Sequence, residues 1–354
     1  MHSFYSAFLF KTAQDYNIIL YHTYRICPGG ITMKLKESTE LIKKEVSKIF
    51  IGKDEQISLI LMSVFVGGHV LLDDLPGSGK TTLIKALSRA LGCDFRRIQF
   101  TPDLMPSDIT GMTIYDQKSG DFRHVKGPVF TNILLADEIN RAIPRTQSAL
   151  LEAMEEGQVT IDNDTYALPQ PFFVLATQNP VERESTFMLP WAQMDRFFVR
   201  LSLGFPDREE EKLMLTNLGD ETDFSEIKAV LDPQILLQLR KEIQEIYVSD
   251  HLKQYIVDLV QATRANKDLE SGASPRGSIS LYQGGKSMAA MSGRSYVIPE
   301  DIAKIFIPVL SHRVRIARSA VHAKKTAEGI LREVLSAASV PPEGMDRFDA
   351  ANKK

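Results

Sequence analysis

A glycine-rich loop between a strand and a helix is the feature that most constrains the fold of this chain. The stretch LLDDLPGSGKTT, residues 71–82, departs from the phosphate-binding pattern G-x-x-x-x-G-K-[ST] at one place, because Asp74 stands where glycine is usual. The segment HVLLDD is predicted to form a short buried strand, and Thr81 to Leu91 a helix capped by Gly92. This context predicts an α/β domain that binds phosphate, and a chance run of glycines would lack it.

The residue types of this loop suit a phosphate group. Gly77 and Gly79 let the backbone curl and point its N–H groups at phosphate oxygens, at a helix N-terminus whose dipole favours anions. Lys80 adds a positive charge, Thr81 supplies a hydroxyl for Mg²⁺, and Pro76 stiffens the entry to the turn. The predicted nucleotide-binding residues are Pro76, Gly77, Ser78, Gly79, Lys80, Thr81 and Thr82.

Two further predicted strands end in polar residues that hydrolysis needs. NILLADE, residues 132–138, ends in adjacent acids that face opposite ways in a strand, so Asp137 is predicted to hold Mg²⁺ through water and Glu138 to polarise the attacking water. PFFVLATQNP carries Asn179, whose amide can orient water because it both donates and accepts. Alone, the acids could cap a helix and Asn179 could form a turn before Pro180. Beside the phosphate loop, we favour the hydrolytic roles.

Composition narrows the possible partners and the compartment. The chain has 354 residues, with 42 basic against 45 acidic side chains, so it has no global positive field to hold nucleic acid or an anionic membrane. Its two cysteines, Cys27 and Cys93, are too few for a disulfide framework, which favours a reducing compartment and hence the cytosol. No apolar run reaches the roughly 20 residues that a membrane-spanning helix needs.

The N-terminal segment differs in character from the rest. Residues 1–32 are aromatic and unpatterned, and the acidic, helical sequence starts at Met33. Gly29 and Gly30 can be encoded by a purine-rich stretch placed like a bacterial ribosome-binding site. We therefore hypothesise that Met33 is the true start. The rival is a real N-terminal arm, and peptides from residues 1–32 in mass spectra of the native protein would establish it.

The organisation beyond Met33 is predicted from periodicity and from breaks. The domain assignment is an extension over residues 1–33, an α/β core over 34–204, a helical lid over 205–340 and a tail over 341–354, with the boundary at Gly204 and Pro206. Helical spacing predicts helices over residues 35–50, 54–66, 232–246, 250–266, 278–292, 299–309 and 326–335. Gly284 and Gly285 are unusual inside a helix and indicate close packing or a local bend.

Two hairpins and a basic stretch remain. Alternating residues predict hairpins over 113–125 and over GQVTIDNDTYALP, residues 157–169, which could be levers that move a partner or plain edge structure. The basic stretch consists of His312, Arg313, Arg315, Arg318, His322, Lys324 and Lys325. Stacking on nucleic-acid bases would need aromatic residues among these charges, and the stretch has none. It is therefore predicted to be a solvated face.

At this point the motifs carry a family resemblance. The run GPVFTNILLADEINRAIPRTQSALLEAMEEGQVTIDNDTYALPQPFFVLATQNP and the later LPWAQMDRFF closely resemble AAA+ ATPases of the MoxR family. The resemblance extends to RIQFTPDLMPSDITG, which is similar to the start of the helix-2 insert, and to GASPRGS in the lid. It covers the chain from Lys34 to about Val340. The fold it implies is an AAA+ P-loop NTPase core with a parallel sheet and a helix-2 insert hairpin, followed by an all-helical lid.

The resemblance also implies roles for individual residues. Lys80 and Thr81 match Walker A, Asp137 and Glu138 match Walker B, and Asn179 matches sensor 1. Arg196 matches the arginine finger, which in this family reaches a neighbour's nucleotide and so implies a ring, usually a homo-hexamer. Arg276 matches the sensor-2 arginine, expected to contact the nucleotide of its own chain. The structural alternatives are a surface salt bridge for Arg196 and a solvated helix start for Arg276.

The motifs predict an ATP- and Mg²⁺-dependent hydrolase, and the resemblance implies that it acts as a chaperone-like motor. The resemblance implies a protein client, commonly one with a von Willebrand factor A domain or a metalloenzyme complex. The alternatives are a nucleic-acid motor, disfavoured by the near-neutral charge, and an ATP-controlled scaffold with little hydrolysis, disfavoured by intact Glu138, Asn179 and Arg196. Stimulation of turnover by DNA would separate the two motors.

Overall fold

The computed structural model describes residues 31–74, 77–118, 120–179, 187–216 and 223–341, with side chains from residue 35 onward. Pro76, one of the predicted nucleotide-binding residues, lies outside these ranges. Nearly all of the N-terminal extension and of the tail also lies outside them. The first described helix begins at Ile31.

The core is a five-stranded parallel sheet. Its strands are β1 Val70–Asp73, β2 Phe95–Gln99, β5 Ile133–Asp137, β8 Phe173–Gln178 and β9 Val199–Leu201. They lie side by side in the order β2-β5-β8-β1-β9. Residues of β5 and β8 are buried throughout, which is typical of parallel strands covered by helices on both faces. Because all five strands run the same way, their carboxyl ends form one edge, where open parallel sheets bind ligands.

Helices cover both faces of this sheet. In chain order they are α1 Ile31–Val46, α2 Asp54–Val66, α3 Lys80–Ala90, α4 Pro106–Thr110, α5 Pro144–Glu156 and α6 Trp191–Met194. Helix α2 has the predicted bounds and ends where Gly67 adopts φ 78°, a left-handed conformation that costs glycine little. Helix α5 begins with Pro144 in its first turn and ends at Gly157.

The two predicted hairpins are present. One joins β3 Gly111–Asp116 to β4 Asp121–Lys126, and the other joins β6 Gln158–Ile161 to β7 Asp164–Ala167. The two hairpins contact each other through His124 of β4 and Asp164 of β7, whose Nε2 and Oδ2 atoms are 3.2 Å apart. Near the end of the first hairpin, the rings of Tyr115 and Phe122 are 5.3 Å apart, and Phe122 is 75% exposed.

The lid consists mainly of helices. These are α7 Arg208–Thr216, α8 Pro233–Gln244, α9 Asp250–Ala265, α10 Pro275–Met291, α11 Pro299–Leu310, α12 Arg318–His322 and α13 Ala327–Ala337. The lid also holds a two-stranded antiparallel ribbon of β10 Leu269–Ser271 and β11 Arg315–Ile316. Each strand of the ribbon is too short to show a period in the sequence.

Gly284 and Gly285 allow close packing in the middle of α10. A methyl group at Gly284 would lie 2.7 Å from Ile305 Cδ1 and 3.0 Å from Met62 Sδ, so the lid helix touches both α11 and the core helix α2 there. A methyl group at Gly285 would lie 2.6 Å from Ile302 Cδ1. Of the two interpretations of this glycine pair, the structure favours close packing.

The prediction that the basic stretch is a solvated face is wrong for its first two residues, His312 and Arg313. His312 and Arg313 are only 1% and 3% exposed, whereas Arg315, Arg318, His322 and Lys324 are exposed as predicted. Arg313 donates from Nε to Asp195 Oδ1 at 2.8 Å and from Nη2 to the Phe197 carbonyl at 2.7 Å. A buried guanidinium is tolerated because carboxylate and carbonyl oxygens satisfy it. Among the described helices, none is long and apolar enough to cross a membrane.

Candidate active site

The phosphate loop leaves the carboxyl end of β1 and enters α3. Gly77 and Gly79 adopt φ 88° and 77°, left-handed conformations that favour glycine, and Gly79 caps the helix. A methyl group at Gly77 would meet no described atom within 4 Å, so this part of the loop faces open space. The curled backbone predicted for the loop is therefore present.

The loop fits a bound phosphate by a second criterion. In the described part of the chain, the Ser78 hydroxyl oxygen is buried and has no hydrogen-bond partner. Buried polar atoms are normally satisfied, so an unpartnered hydroxyl beside a helix N-terminus and an open space fits an anionic ligand. Lys80, Thr81 and Thr82 form the first turn of α3, and Lys80 Nζ lies 3.3 Å from the carbonyl oxygen of Asp74.

Asp74, the departure from the glycine pattern, has a structural role. Its side chain is 4% exposed and accepts hydrogen bonds from Ser202 Oγ at 2.8 Å, from the Leu203 N–H at 2.8 Å and from the Gly204 N–H at 3.0 Å. The acid therefore ties the phosphate loop to the segment that leaves β9 for the lid. Its partners lie about 130 residues further along the chain, and no local sequence signal announces them.

Asp137 lies at the end of β5 and is held from both sides. Arg97 on β2 donates from Nη2 to Asp137 Oδ2 at 2.7 Å, and Thr177 on β8 donates to Asp137 Oδ1 at 2.6 Å. These neighbours fix the carboxylate at the edge where the phosphate loop also lies, which fits the predicted Mg²⁺ ligand. Arg97 and Thr177 lie in strands that end at the site, but no motif marks them as site residues.

Glu138 follows in a left-handed backbone conformation, with φ 57°. Such a conformation is uncommon outside glycine and concentrates at functional sites. Its carboxylate accepts from Gln99 Nε2 at 2.7 Å and pairs with Arg141 Nε at 3.1 Å, while its backbone N–H donates to Thr177 Oγ1 at 2.8 Å. The predicted base is thus held next to Asp137, with its carboxylate aimed differently.

Asn179 closes the carboxyl edge at the end of β8. It is 6% exposed, and its backbone carbonyl and N–H lie 3.4 Å and 3.5 Å from the Asn140 side chain. Because β8 lies between β1 and β5, Asn179 stands between the phosphate loop and the acid pair. The structure thus brings together the predicted Walker A, Walker B and sensor-1 residues at one edge.

Arg196 and Arg276 lie elsewhere. Both bind the carboxylate of Glu155 in the last turn of α5: Arg196 Nε lies 2.6 Å from Oε2, and Arg276 Nη2 lies 2.7 Å from Oε1. The preceding residue, Met154, accepts a hydrogen bond at 3.1 Å from His69, which precedes β1. The two arginines are therefore at the amino edge of the sheet, and the phosphate loop is at the opposite edge.

This placement differs from the expectation that Arg276 contacts the nucleotide of its own chain. The two edges are separated by β1, about 16 Å from His69 to Asp74 at roughly 3.3 Å per residue. The reason lies in the lid, where α10 begins beside Arg196, since its N-cap Ser274 donates to Asp195 Oδ2 at 2.9 Å. In this chain Arg276 lies next to Arg196, and both bind Glu155.

We call the part of the amino edge that carries Arg196, Arg276 and Arg313 the arginine face. A cavity of about 270 Å³ opens there, and Gly68, His69 and Glu155 line it together with these three arginines. Hydrogen bonds from Arg196 and then Arg276 lower the pKa of Glu155, which keeps this carboxylate ionised. Burial lowers the pKa of Arg313, against the opposing effect of Asp195. The face carries three guanidinium groups and the carboxylates Glu155 and Asp195, a local excess of positive charge.

Comparisons with known proteins agree with this arrangement. Residues 69–199 match the model of the ATPase family associated with various cellular activities (AAA), and residues 261–334 match the AAA lid domain. A crystal structure of a candidate ATPase from Cytophaga hutchinsonii superposes with a TM-score of 0.83 at 38% identity, and the match covers 88% of this chain and 97% of that one. The fold and the site thus define an AAA+ ATPase.

Two curated relatives refine the class. Chaperone MoxR1 of Mycobacterium tuberculosis is 40% identical over 325 residues, which are 89% of this chain and 86% of that protein. The protein YeaC of Bacillus subtilis, whose function is uncharacterised, is 45% identical over 84% of this chain and 93% of its own length. The chain belongs to the MoxR family of AAA+ ATPases.

Proposed function

We propose that this chain is a Mg²⁺-dependent ATPase whose active site is shared between neighbouring subunits of a homo-hexameric ring, and that it remodels a protein client. The observation that carries the proposal is the separation of Arg196 and Arg276 from Lys80, Asp137 and Glu138 across the sheet. Arginines at one edge cannot serve a phosphate at the other edge of the same chain. They suit a phosphate held by an adjacent copy.

The residues at the carboxyl edge divide the work of hydrolysis. Gly77, Ser78 and Gly79 would cradle the phosphates through loop N–H groups and the Ser78 hydroxyl, and Lys80 would add charge. Thr81 and Asp137 would hold Mg²⁺, which when bound neutralises charge on the phosphate oxygens.

Glu138 would take up a proton from the attacking water, which Asn179 orients. Arg196 of an adjacent subunit would stabilise the charge that develops in the transition state, where an arginine finger is typically worth ~10³-fold or more.

The client is proposed to be a protein with a von Willebrand factor A domain, as the family resemblance implies. The hairpins β3–β4 and β6–β7 are the proposed levers. Tyr115 and Phe122 offer an exposed aromatic pair at the end of one of them, suited to an apolar contact on a protein.

Complementation between two inactive variants tests the shared site. Lys80→Ala removes the phosphate-binding charge but keeps the arginines, and Arg196→Ala does the reverse. Each variant alone should be nearly inactive. Rings purified after co-expression through one tag on each variant should regain turnover, because about a quarter of randomly formed interfaces pair an intact phosphate loop with an intact arginine.

The matched control is co-expression of Arg196→Ala with the double variant Lys80→Ala/Arg196→Ala, which should stay inactive. Mixed rings without activity would refute the shared site. Turnover that rises with DNA and not with a protein client would favour the nucleic-acid motor, and wild-type rings that bind ATP without turnover would favour the scaffold.

A further inference from the structure

We propose that Glu155 is a positioning residue that presents Arg196 and Arg276 together, as a pair, to one phosphate group of a neighbouring subunit's nucleotide. This inference rests on the shared-site proposal above and goes beyond it, because it concerns a carboxylate that no sequence motif marks. Within the described residues, Glu155 binds Arg196 and Arg276 and lies at the edge of the sheet opposite the phosphate loop.

The geometry of the carboxylate is the first support. Its two oxygens bind one guanidinium each, at 2.6 Å for Arg196 and 2.7 Å for Arg276. The three side chains come from α5, from the loop before β9 and from the start of α10, so that helix, loop and lid meet at one acid. Arg196 and Arg276 are 32% and 50% exposed, and a ligand can reach both.

The choice of donor atoms is the second support. Arg196 uses Nε toward Glu155, so this bond does not engage its terminal nitrogens, and Arg276 uses only Nη2. A guanidinium has five N–H donors in a planar fork, so each arginine can bind Glu155 and a phosphate oxygen together. Arg313 differs, because it donates to Asp195 and to the carbonyls of Phe197 and Phe198 within the protein.

Electrostatics explains why an acid is needed between the two arginines. Two guanidinium groups that approach one phosphate repel each other, and Arg313 on the same face adds to the repulsion. An ionised carboxylate between them offsets this repulsion before the phosphate arrives. The arginines are thereby placed in advance, which is the condition under which charged donors contribute most to a transition state.

Glu155→Gln tests the inference, because glutamine keeps the shape but places an amide donor against one guanidinium, so that only one arginine stays bound. We expect kcat for ATP to fall at least about tenfold, with KM and nucleotide affinity within about twofold, as for loss of an interaction made in the transition state. Glu156→Gln changes the adjacent exposed acid of α5 and should retain wild-type kcat.

A double-mutant cycle separates positioning from a general structural effect. If Glu155 acts through the arginines, Glu155→Gln should lower kcat little further in an Arg196→Ala/Arg276→Ala background. A KM that rises in proportion to any loss of kcat, an additive further loss in this cycle, or wild-type kcat in Glu155→Gln would overturn the inference.

Mixed rings distinguish failure of this inference from failure of the shared site. Arg196→Ala subunits should be rescued by Lys80→Ala/Glu156→Gln partners but not by Lys80→Ala/Glu155→Gln partners. Rescue by both would refute the role of Glu155 and leave the shared site intact, whereas failure of Lys80→Ala itself to rescue would refute the shared site. If Glu155→Gln does not fold, the double variant Lys80→Ala/Arg276→Ala replaces it as the partner of Arg196→Ala subunits. Turnover as high as with the Lys80→Ala partner would then show that Arg276 is not needed beside Arg196, and it would refute the inference.

Discussion

Replacing Asp74 by glycine would restore the usual phosphate-loop pattern, and we predict that it destabilises the protein. The carboxylate accepts from two backbone N–H groups and one hydroxyl in the segment that connects β9 to the lid. Its loss therefore affects the junction between the core and the lid. A sequence pattern alone would predict a neutral or favourable change at this position.

The magnitude follows from the burial of each donor. Leu203 is 2% exposed, so its N–H would be left without an acceptor, at a cost of about 1–3 kcal/mol. Ser202 and Gly204 are exposed and can turn to water, so losing their bonds costs about 1 kcal/mol in all. The extra backbone freedom of glycine adds about 0.5–1 kcal/mol. Together these contributions amount to about 2.5–5 kcal/mol.

Thermal unfolding of the purified variants measures this loss. For Asp74→Gly we expect the Tm to fall by about 5–20 °C, taking roughly 2–4 °C per kcal/mol for a domain of this size. Ser202→Ala removes only the bond from an exposed hydroxyl and should shift the Tm by no more than about 3 °C. An Asp74→Gly protein as stable as the wild type would refute the reasoning.

Two further predictions concern stability. Gly284→Ala should destabilise by about 1–3 kcal/mol in denaturant unfolding, because the new methyl group would overlap Ile305 and Met62; the gain of about 1 kcal/mol usual for this change in a helix would contradict the close packing. His69 is held neutral by burial, with its pKa lowered to about 4, and Val174 donates to its Nδ1 at 3.0 Å. As the pH falls below about 6.5, His69 therefore takes up a proton in the unfolded chain before it does in the folded protein. The contribution of His69 to the unfolding free energy should drop by about 2 kcal/mol between pH 7.5 and 5, and burial of His312 adds a loss in the same direction. A His69→Gln variant with an equally steep fall would contradict this assignment.

Local patterns predicted those parts of the molecule whose structure is decided locally. The bounds of α2 and both hairpins could be predicted because a helical or alternating period and a turn signal lie within one short segment. The phosphate loop and the acid pair could be predicted because each follows directly on an apolar strand. The curated relatives confirm the MoxR family.

Contacts between distant segments could not be predicted in this way. Glu155 lies 41 residues from Arg196 and 121 residues from Arg276, and nothing around it differs from an ordinary helix end. The burial of Arg313 depends on Asp195, 118 residues away, so a run of charges alone indicated a solvated surface. The strand order that separates the phosphate loop from the arginine face is likewise a property of the whole sheet.

The carboxylates Asp195 and Glu155 have a consequence for cooperativity. Asp195 binds Ser274 and Arg313 of the lid, and Glu155 joins the core helix α5 to the first turn of α10, so the lid cannot rotate without moving or breaking charged contacts at the arginine face. In the proposed ring with its shared site, these contacts would link the lid angle of one subunit to the occupancy of the next subunit's site. Thermodynamic linkage is reciprocal, so a phosphate that favours one lid angle is itself bound more tightly at that angle. ATP hydrolysis by one subunit after another around such a ring would then need no contacts other than those at the arginine face.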